Sequence, residues 1–514
     1  MKITSTVLGA SQLTANDEAL DRCQRALMLK DRGDYDSAQK VMRPLWTRVG
    51  EPPEISSLHP LVAAEVLLCV GVLTRWIGSK NKVAGSQEAA KNLITESITF
   101  YESTGDLQKL AAARVELACC YWREGELDEA RITLNASLQK LTTEGNTRAR
   151  ALLRLAIVEW SASRYDEALR ILTENASLFK KITNHATKGA YHSQLAMVLH
   201  KLAPPGNPSD CFKRVLREYQ EADEHFKLAH NIVFRADVKN NIAYLFRELR
   251  RFKEAHQYLE QARRLRSSVR DKVGIAQIDD TRAEVFIAEK KYKEAEAVAR
   301  NAVRSLEKSG HQCLLTDALI TQGIAVARLK QTEHAQYIFQ KAIEVARQVG
   351  ALNKAGLAAL TMIEELDELS PETLYEAYDR ASEWLAESQS QDLLVRENTV
   401  ARKVFSKLHG ELKGEHAIAE KATAEEAGAE NTIEALLNKP CHFPTEVLKF
   451  EGSLIRKALA KANGSLTRAA SLLTMSYQAL AYILDTRHKD LLKERSPIRR
   501  RSRKEPAPGG SLSS

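Results

Sequence analysis

The chain has 514 residues, too many for one hydrophobic core, so several domains or an array of repeats are expected. With only 23 glycines, 13 prolines and 6% aromatic residues, the composition favours helix and argues against a β-rich core. The seven cysteines have no Cys-x-x-Cys pair, which argues against a disulfide framework and a zinc site and favours buried thiols in a reducing cytoplasm. We expect neither a signal peptide nor a run of about 20 apolar residues that would span a membrane.

The net charge is concentrated at the C-terminal end. Residues 440–514 contain 14 Lys and Arg against 6 Asp and Glu, a net charge of +8. Because the whole chain also sums to +8, residues 1–439 are neutral overall. A neutral body with a basic end indicates a nucleic-acid-binding appendage.

After a tail of residues 1–14, a pattern of about forty residues recurs along most of the chain. In its clearest copy, the small Ala243 is followed by Phe246 three residues later and by Ala255 twelve residues later. The small position recurs at spacings of 38, 40, 47, 40 and 40 residues, at Ala118, Ala156, Ala196, Ala243, Ala283 and Gly323. The long interval contains the proline-rich stretch 204–208, which we interpret as a loop insertion.

Small residues at this spacing let two antiparallel helices cross closely, and each hairpin must stack on its neighbours to bury its remaining apolar face. The pattern resembles the tetratricopeptide repeat (TPR) family in its longer, roughly forty-residue variety. The resemblance implies an all-α fold, with a right-handed TPR-like α-solenoid of about eight or nine helical hairpins over residues 15–390.

The same resemblance implies that the first helix of each hairpin lines a concave groove that binds a peptide or a protein. By repeat register, six side chains are expected to face this groove: Asp237, Asn240, Tyr244, Arg247, Asp280 and Glu284. A solvated helix face of mixed charge fits the same six residues, so both interpretations remain open here.

Residues 391–439 are expected to form one further helix and a flexible linker. In residues 440–495 an amphipathic helix then ends at Asn463-Gly464, where Gly supplies the left-handed conformation of a helix C-terminus. Two short helices follow, with Ala470 small where they cross and Leu480 apolar on the second. This spacing is typical of a helix-turn-helix.

Residues 451–484 resemble the Fis-type DNA-binding domain of bacterial transcription regulators. The matching residues are Leu454-Ile455, Ala458-Leu459, Asn463-Gly464, Ala469-Ala470, Leu472-Leu473, Ser476 and Leu480. The resemblance implies that the last helix reads bases, with Gln478 the best hydrogen-bonding reader among Tyr477, Gln478, Ala481 and Tyr482. The chain departs from the family at Thr474, where Gly is usual, and at Tyr477, Tyr482 and Ile483, where Arg or Lys is usual.

Because the last helix is short of charge, phosphate contacts are expected mainly from other residues of the C-terminal region. The candidates inside the module are Lys449, Arg456, Arg468, Ser476, Arg487 and Lys489. The tail of residues 496–514 is expected to be disordered and to add salt-dependent contacts through Arg499, Arg500, Arg501, Arg503 and Lys504. The tail is alternatively a solubilising segment without a partner.

No sequence motif indicates an enzyme, since a phosphate-binding Gly-rich loop, His-Glu-x-x-His and Gly-x-Ser-x-Gly are all missing. His192 and His200, or His225 and His230, are close in sequence, but we see no carboxylate or cysteine that completes a metal-ligand set. No metal or cofactor is therefore expected.

The sequence predicts a bacterial cytoplasmic regulator that binds DNA through residues 440–505, as a homodimer, and a protein or peptide in the solenoid groove. The alternative is a TPR scaffold or adaptor whose basic C-terminal module is a docking element.

Overall fold

The computed structural model describes residues 15–203, 208–386, 391–420, 443–473, 475 and 477–494. The chain divides into two compact units, residues 1–414 and residues 415–514. Residues 421–442 of the expected linker and the basic tail beyond residue 494 lie outside the described residues.

The described residues of the first unit form helices joined in pairs along the chain. The first hairpins are α1 (Ala15–Asp31) with α2 (Tyr35–Met42), α3 (Pro60–Asn81) with α4 (Ser86–Thr104), α5 (Leu107–Glu124) with α6 (Leu127–Lys140), and α7 (Asn146–Ser161) with α8 (Tyr165–Glu174) and the short α9 (Ala176–Lys181). The later hairpins are α10 (His185–Lys201) with α11 (Pro208–Leu228), α12 (Ile232–Glu248) with α13 (Phe252–Ser268), α14 (Lys272–Ala288) with α15 (Tyr292–Glu307), α16 (Gln312–Arg328) with α17 (Thr332–Gln348), and α18 (Leu352–Glu365) with α19 (Pro371–Leu385). A single helix, α20 (Gln391–Glu420), follows. These nine hairpins confirm the expected TPR-like architecture.

The turns of the central hairpins repeat at an interval of twenty residues. A residue with positive φ ends a helix at His230, Arg250, Arg270, Lys290, Gly310, Lys330 and Gly350. After several of these helices, an amide donates a hydrogen bond to the carbonyl five positions earlier, as from Arg251 to Phe246 (2.9 Å) and from Lys291 to Phe286 (2.8 Å). Such bonds satisfy the last carbonyls of a helix and hold even non-glycine residues in the left-handed conformation.

The small residues of the repeat lie where helices cross. Ala118, Ala156, Ala196, Ala243 and Ala283 are all fully buried. At the equivalent Gly323, a Cβ atom would lie 2.7 Å from the ring of Phe339, which is also fully buried. The helices of this hairpin therefore approach more closely than a side chain on Gly323 permits.

The solenoid turns back on its own first hairpin. The Asn184 Nδ2 atom donates a hydrogen bond to the Asp31 carboxylate (3.2 Å), and the Asn231 Nδ2 atom donates one to the Asp31 carbonyl oxygen (2.8 Å). Asn184 and Asn231 precede α10 and α12, so the end of α1 contacts the beginnings of the fifth and sixth hairpins. These contacts connect the first hairpin directly to the fifth and sixth.

Helix α3 corrects the expectation that no segment is long and apolar enough to span a membrane. Its 22 residues include an 18-residue window with a mean hydropathy of 1.8. That window is 72% buried inside the fold, and α3 packs against α1, α4 and α5. A helix that is buried on nearly all sides in a protein core has the same apolar composition as a membrane span, and α3 is such a core helix.

Substitution of Gly323 tests the close crossing of α16 and α17. Gly323→Val should lower the melting temperature, because overpacking against Phe339 costs about 1–3 kcal/mol, whereas helix propensity alone favours Val over Gly. The exposed Gln340 of α17 provides the control, since Gln340→Val should change stability by no more than about 0.5 kcal/mol. Equal melting temperatures of the two variants, measured by circular dichroism, would contradict the close crossing.

Candidate functional site

Three helices described in the second unit surround a small core. They are α21 (Phe443–Lys461), α22 (Leu466–Leu472) and α23 (Tyr477–Thr486), followed by a 3-10 turn over Lys489–Glu494. Ala470 is 2% exposed, and Leu459, Leu480 and Leu484 are fully buried. The small residue and the apolar residues that the helix-turn-helix spacing requires thus lie together in one core.

The turn after α21 has the predicted left-handed conformation, but at two residues rather than one. Asn463 has a φ of 51° and Gly464 a φ of 74°. The Gly464 amide donates to the Leu459 carbonyl over 2.8 Å, which closes the helix end. Ser465 precedes α22 without a capping hydrogen bond from its side chain, whereas Thr474 and Ser476 lie outside the described residues.

The four predicted base-reading residues share one side of α23. Tyr477 is 49% exposed, Tyr482 is 68% exposed, Gln478 is exposed and Ala481 is half-buried. The opposite side carries Leu480 and Leu484, one turn apart, in the core. Residues at these spacings present one continuous surface that a major groove can accept.

The phosphate candidates within the described residues are all exposed, and Arg487 and Arg456 each have a carboxylate nearby. Arg487 lies 3.3 Å from Glu451 and Arg456 lies 3.5 Å from Asp490. Lys449, Arg468 and Lys489 are exposed as well. Surface ion pairs contribute at most about 1 kcal/mol, so exchange of a carboxylate for a phosphate is inexpensive. Arg499, Arg500, Arg501, Arg503 and Lys504 lie outside the described residues.

Sequence reasoning did not identify the role of His488. Its side chain is 8% exposed and its Nε2 atom lies 3.0 Å from a carboxylate oxygen of Glu451. A Cβ atom on Gly452 would lie 3.0 Å from the same imidazole ring, so α21 packs closely against it. His488 therefore fastens the segment after α23 to α21.

The six predicted groove residues lie on α12 and α14, the first helices of their hairpins, and most of them interact with charged neighbours. The Arg247 guanidinium lies 3.9 Å from the centre of the Tyr244 ring and pairs with Glu284. Asp237 pairs with Arg266. Burial, together with Glu284, raises the pKa of Asp280 well above its usual range, and the amide oxygen of Asn240 has no hydrogen-bond partner among the described residues.

A cavity of about 320 Å³ lies where the first hairpin approaches the fifth and sixth. It is lined by first helices of successive hairpins and by the first hairpin, with Lys30, Tyr35, Trp76, Glu116, Arg150, Arg154, Gln194, Phe234 and Asp237 among the lining residues. Its size and mixture of aromatic and polar groups are typical of a ligand site. Of the six predicted groove residues, Asp237 lines this cavity.

The cavity wall carries charges of both signs, with Lys30, Arg150 and Arg154 against Asp31, Glu116 and Asp237, and two further arginines lie behind it. Arg75 is fully buried and donates to Glu116 over 2.7 Å, yet its Nε and one Nη atom have no partner among the described residues. Although burial alone raises the pKa of Glu116, Arg75 and Arg150 outweigh it and lower that pKa to about 2. Burial, with Arg75 and Arg154 nearby, lowers the pKa of Arg123 to about 10.

The buried donors beside the cavity were not predicted from the sequence. Gln194 is 7% exposed and lines the cavity, and its amide nitrogen Nε2 has no partner among the described residues. The Nε atom of Arg150, which also lines the cavity, has no partner among them either. A hydrogen-bond acceptor placed between these two groups would satisfy both donors.

A histidine cluster corrects the expectation that no carboxylate completes a metal-ligand set. Ligand atoms of His192 on α10 and of Glu221 and His225 on α11 all lie within 4.8 Å of one another. This group could not be recognised from histidines close along the chain, because His192 and His225 lie 33 residues apart on two helices. Burial, with His192 and His185 nearby, lowers the pKa of His225.

Comparison with known proteins identifies the C-terminal module. Residues 447–485 match the model of the bacterial regulatory protein, Fis family. The module is thus a Fis-family helix-turn-helix. No curated protein was found to match the chain.

Solved structures are similar to the repeat unit at low identity. The chain is 13% identical to the apo form of the quorum sensor NprR from B. thuringiensis, over 65% of this chain and 89% of that one, with a TM-score of 0.48. It is 12% identical to a Rap protein complexed with competence and sporulation factor, over 76% of this chain and 99% of that one, with a TM-score of 0.46. It is 14% identical to a signal transduction ATPase with a tetratricopeptide repeat sensor from Pyrococcus horikoshii, over 76% of this chain and 68% of that one, with a TM-score of 0.44. Scores below 0.5 define no function, and the repeat architecture rests on the hairpins and turns described above.

Substitution in the helix-turn-helix core should unfold this module selectively. Leu480→Ala removes a fully buried side chain and should cost about 2–5 kcal/mol, a large part of the stability of so small a unit. Hydrogen exchange of the full chain, read by mass spectrometry, should then accelerate over residues 443–494 and stay unchanged over residues 15–386. Tyr482→Ala, on the exposed side of the same helix, is the control and should alter neither region; equal protection in both variants would contradict the assigned core.

Proposed function

We propose that this chain is a bacterial cytoplasmic transcriptional regulator, in which the Fis-family module binds DNA and the solenoid binds a protein or peptide partner. The observation that carries the proposal is the folded helix-turn-helix, whose last helix, α23, exposes Tyr477, Gln478 and Tyr482. The proposal assigns no chemical reaction to the chain.

Base recognition falls mainly to Gln478, because its amide offers both a donor and an acceptor and can pair with adenine in the major groove. Tyr477 and Tyr482 add ring surface and a hydroxyl each, and Ala481 can contact a thymine methyl group. The only charge on α23 is Asp485, so α23 supplies no attraction to phosphate. Affinity then comes from the surrounding cations and the basic tail.

A homodimer follows from the size of the module, because one short recognition helix contacts too few base pairs for a specific site. Phe450 is 67% exposed and Leu454, one turn later on α21, is 47% exposed. These apolar side chains offer surface that a second copy would cover.

For the solenoid, the cavity supports a partner that brings a carboxylate to Arg150 and Arg154. These two arginines line the cavity together with Gln194, and Trp76 and Phe234 are among the other lining residues. An acidic peptide would receive hydrogen bonds from the Gln194 and Arg150 donors that have no partner among the described residues.

The DNA-binding role is tested by fluorescence anisotropy of the full chain against a random-sequence duplex pool, followed by sequencing of the bound fraction. A chain that ends at Lys439 should lose binding, since it lacks every proposed DNA contact. Gln478→Ala should retain most affinity but weaken the enriched motif by about 1–3 kcal/mol at one base pair. Thr486→Ala, at the exposed end of α23, serves as the control; wild-type binding without any enriched motif would favour the scaffold alternative.

The basic tail should contribute to affinity and not to sequence preference. Replacement of Arg499, Arg500, Arg501, Arg503 and Lys504 by Gln should weaken binding to all duplexes. The slope of log affinity against log salt should fall by about 0.9 for each phosphate contact that is lost. An unchanged slope would show that the tail does not contact DNA.

The partner role is tested by selection of random peptides on the immobilised full chain. Peptides with acidic residues should be enriched on the wild type. They should not be enriched on the double variant Arg150→Gln/Arg154→Gln, because it lacks two cations of the cavity lining. Lys341→Gln, an exposed position on α17 outside the cavity lining, should select the same peptides as the wild type. Acidic peptides that bind all three proteins equally would place the binding surface elsewhere.

A further inference from the structure

Helices α10 and α11 bring three histidines and two glutamates together on their facing sides. Glu221 and His225 are four residues apart on α11, and His185 and His192 are seven residues apart on α10. Residues at these spacings lie on one side of a helix, one or two turns apart. The packing of the two helices then places His192 beside Glu221 and His225, with their ligand atoms within 4.8 Å of one another.

His185 lies beside this group but is not one of its mutually close members. Its Nδ1 atom is 3.1 Å from the Nδ1 atom of His225, a distance that fits a hydrogen bond between the two rings. The candidate ligands are therefore His192, Glu221 and His225, and His185 contacts His225 from outside the set.

Glu218 determines which nitrogen of His192 is available. Its carboxylate Oε2 atom lies 2.8 Å from His192 Nδ1, and Glu218 is 9% exposed. A carboxylate accepts, so Nδ1 donates the hydrogen and Nε2 retains its lone pair. Histidines that bind metals are commonly oriented in this way by a carboxylate on the other nitrogen.

We propose that His192, Glu221 and His225 bind one divalent transition-metal ion of the zinc class, with Glu218 as the positioning residue of His192. Imidazole and carboxylate donors of this number suit Zn²⁺, whereas Ca²⁺ and Mg²⁺ require more oxygen ligands.

The ion would connect the two helices of the fifth hairpin. The same two helices also line the cavity, through Gln194 on α10 and Phe226 on α11. Metal binding would therefore fix the spacing of two cavity walls. The site belongs to the solenoid and does not depend on the proposed DNA or peptide binding.

The test is a calorimetric titration of the chelator-treated full chain with ZnCl₂. The wild type should bind a single tight equivalent, and CoCl₂ should give the visible absorption of four-coordinate Co²⁺. His225→Gln should lose this equivalent and the cobalt spectrum. Glu218→Gln should bind about 10–100-fold more weakly, because His192 is no longer oriented.

His334→Gln is the matched control, since His334 is an exposed histidine on α17 outside the cluster, and it should bind zinc as the wild type does. Zinc should also raise the melting temperature of the wild type and of His334→Gln but not of His225→Gln, with circular dichroism of the metal-free proteins confirming that each is folded. Equal zinc affinity of wild type and His225→Gln would overturn the proposal, as would the absence of tight binding to the wild type. The pair would then be a hydrogen-bonded histidine pair only.

Discussion

The contact between Asp31 and two asparagines determines what the concave side of the solenoid can do. Each asparagine uses both ends of its amide. The Oδ1 atoms of Asn184 and Asn231 accept from the amides of Thr187 (2.8 Å) and Phe234 (2.9 Å) and so cap α10 and α12. Their Nδ2 atoms donate to Asp31 across 153 and 200 residues of sequence. A serine at either position would retain the cap and lose the closure.

Stability alone does not account for the charges next to the cavity. Arg75 is fully buried and donates to Glu116, yet two of its nitrogens have no partner among the described residues. Burial of charge is expensive unless the hydrogen-bonding capacity of the group is satisfied, so a buried pair of this kind is weak evidence for stability. Glu116 lines the cavity and Arg75 does not, so the pair connects the cavity wall to the interior of the repeat stack.

The sequence predicted what depends on local spacing and missed what depends on distant contacts. The hairpins follow from alanines at fixed intervals, and the helix-turn-helix core follows from Ala470 and Leu480. The hydrogen bond between Asp31 and Asn231 joins residues 200 positions apart and produces no periodic pattern in the sequence. The cavity beside it could therefore not be predicted. The histidine cluster was missed for a related reason. Its members lie on α10 and α11, on either side of the insertion that interrupts the repeat, so the repeat register does not align them. Helix α3 was misjudged because a core helix that is apolar on nearly all sides has the composition of a membrane span.

The distribution of charge in the C-terminal module separates recognition from attraction. An arginine on α23 would contact bases and would also attract any phosphate backbone. The uncharged Tyr477, Gln478 and Tyr482 would contribute little to the attraction of phosphate. The cations lie instead on α21, on α22 and after α23, where Arg456 and Arg487 are partly neutralised by Asp490 and Glu451. Under the proposed function, a module built in this way is expected to hold random DNA weakly at physiological salt and to depend on complementary bases for its specificity. Occupancy of a site would then depend steeply on whether a second copy binds beside the first.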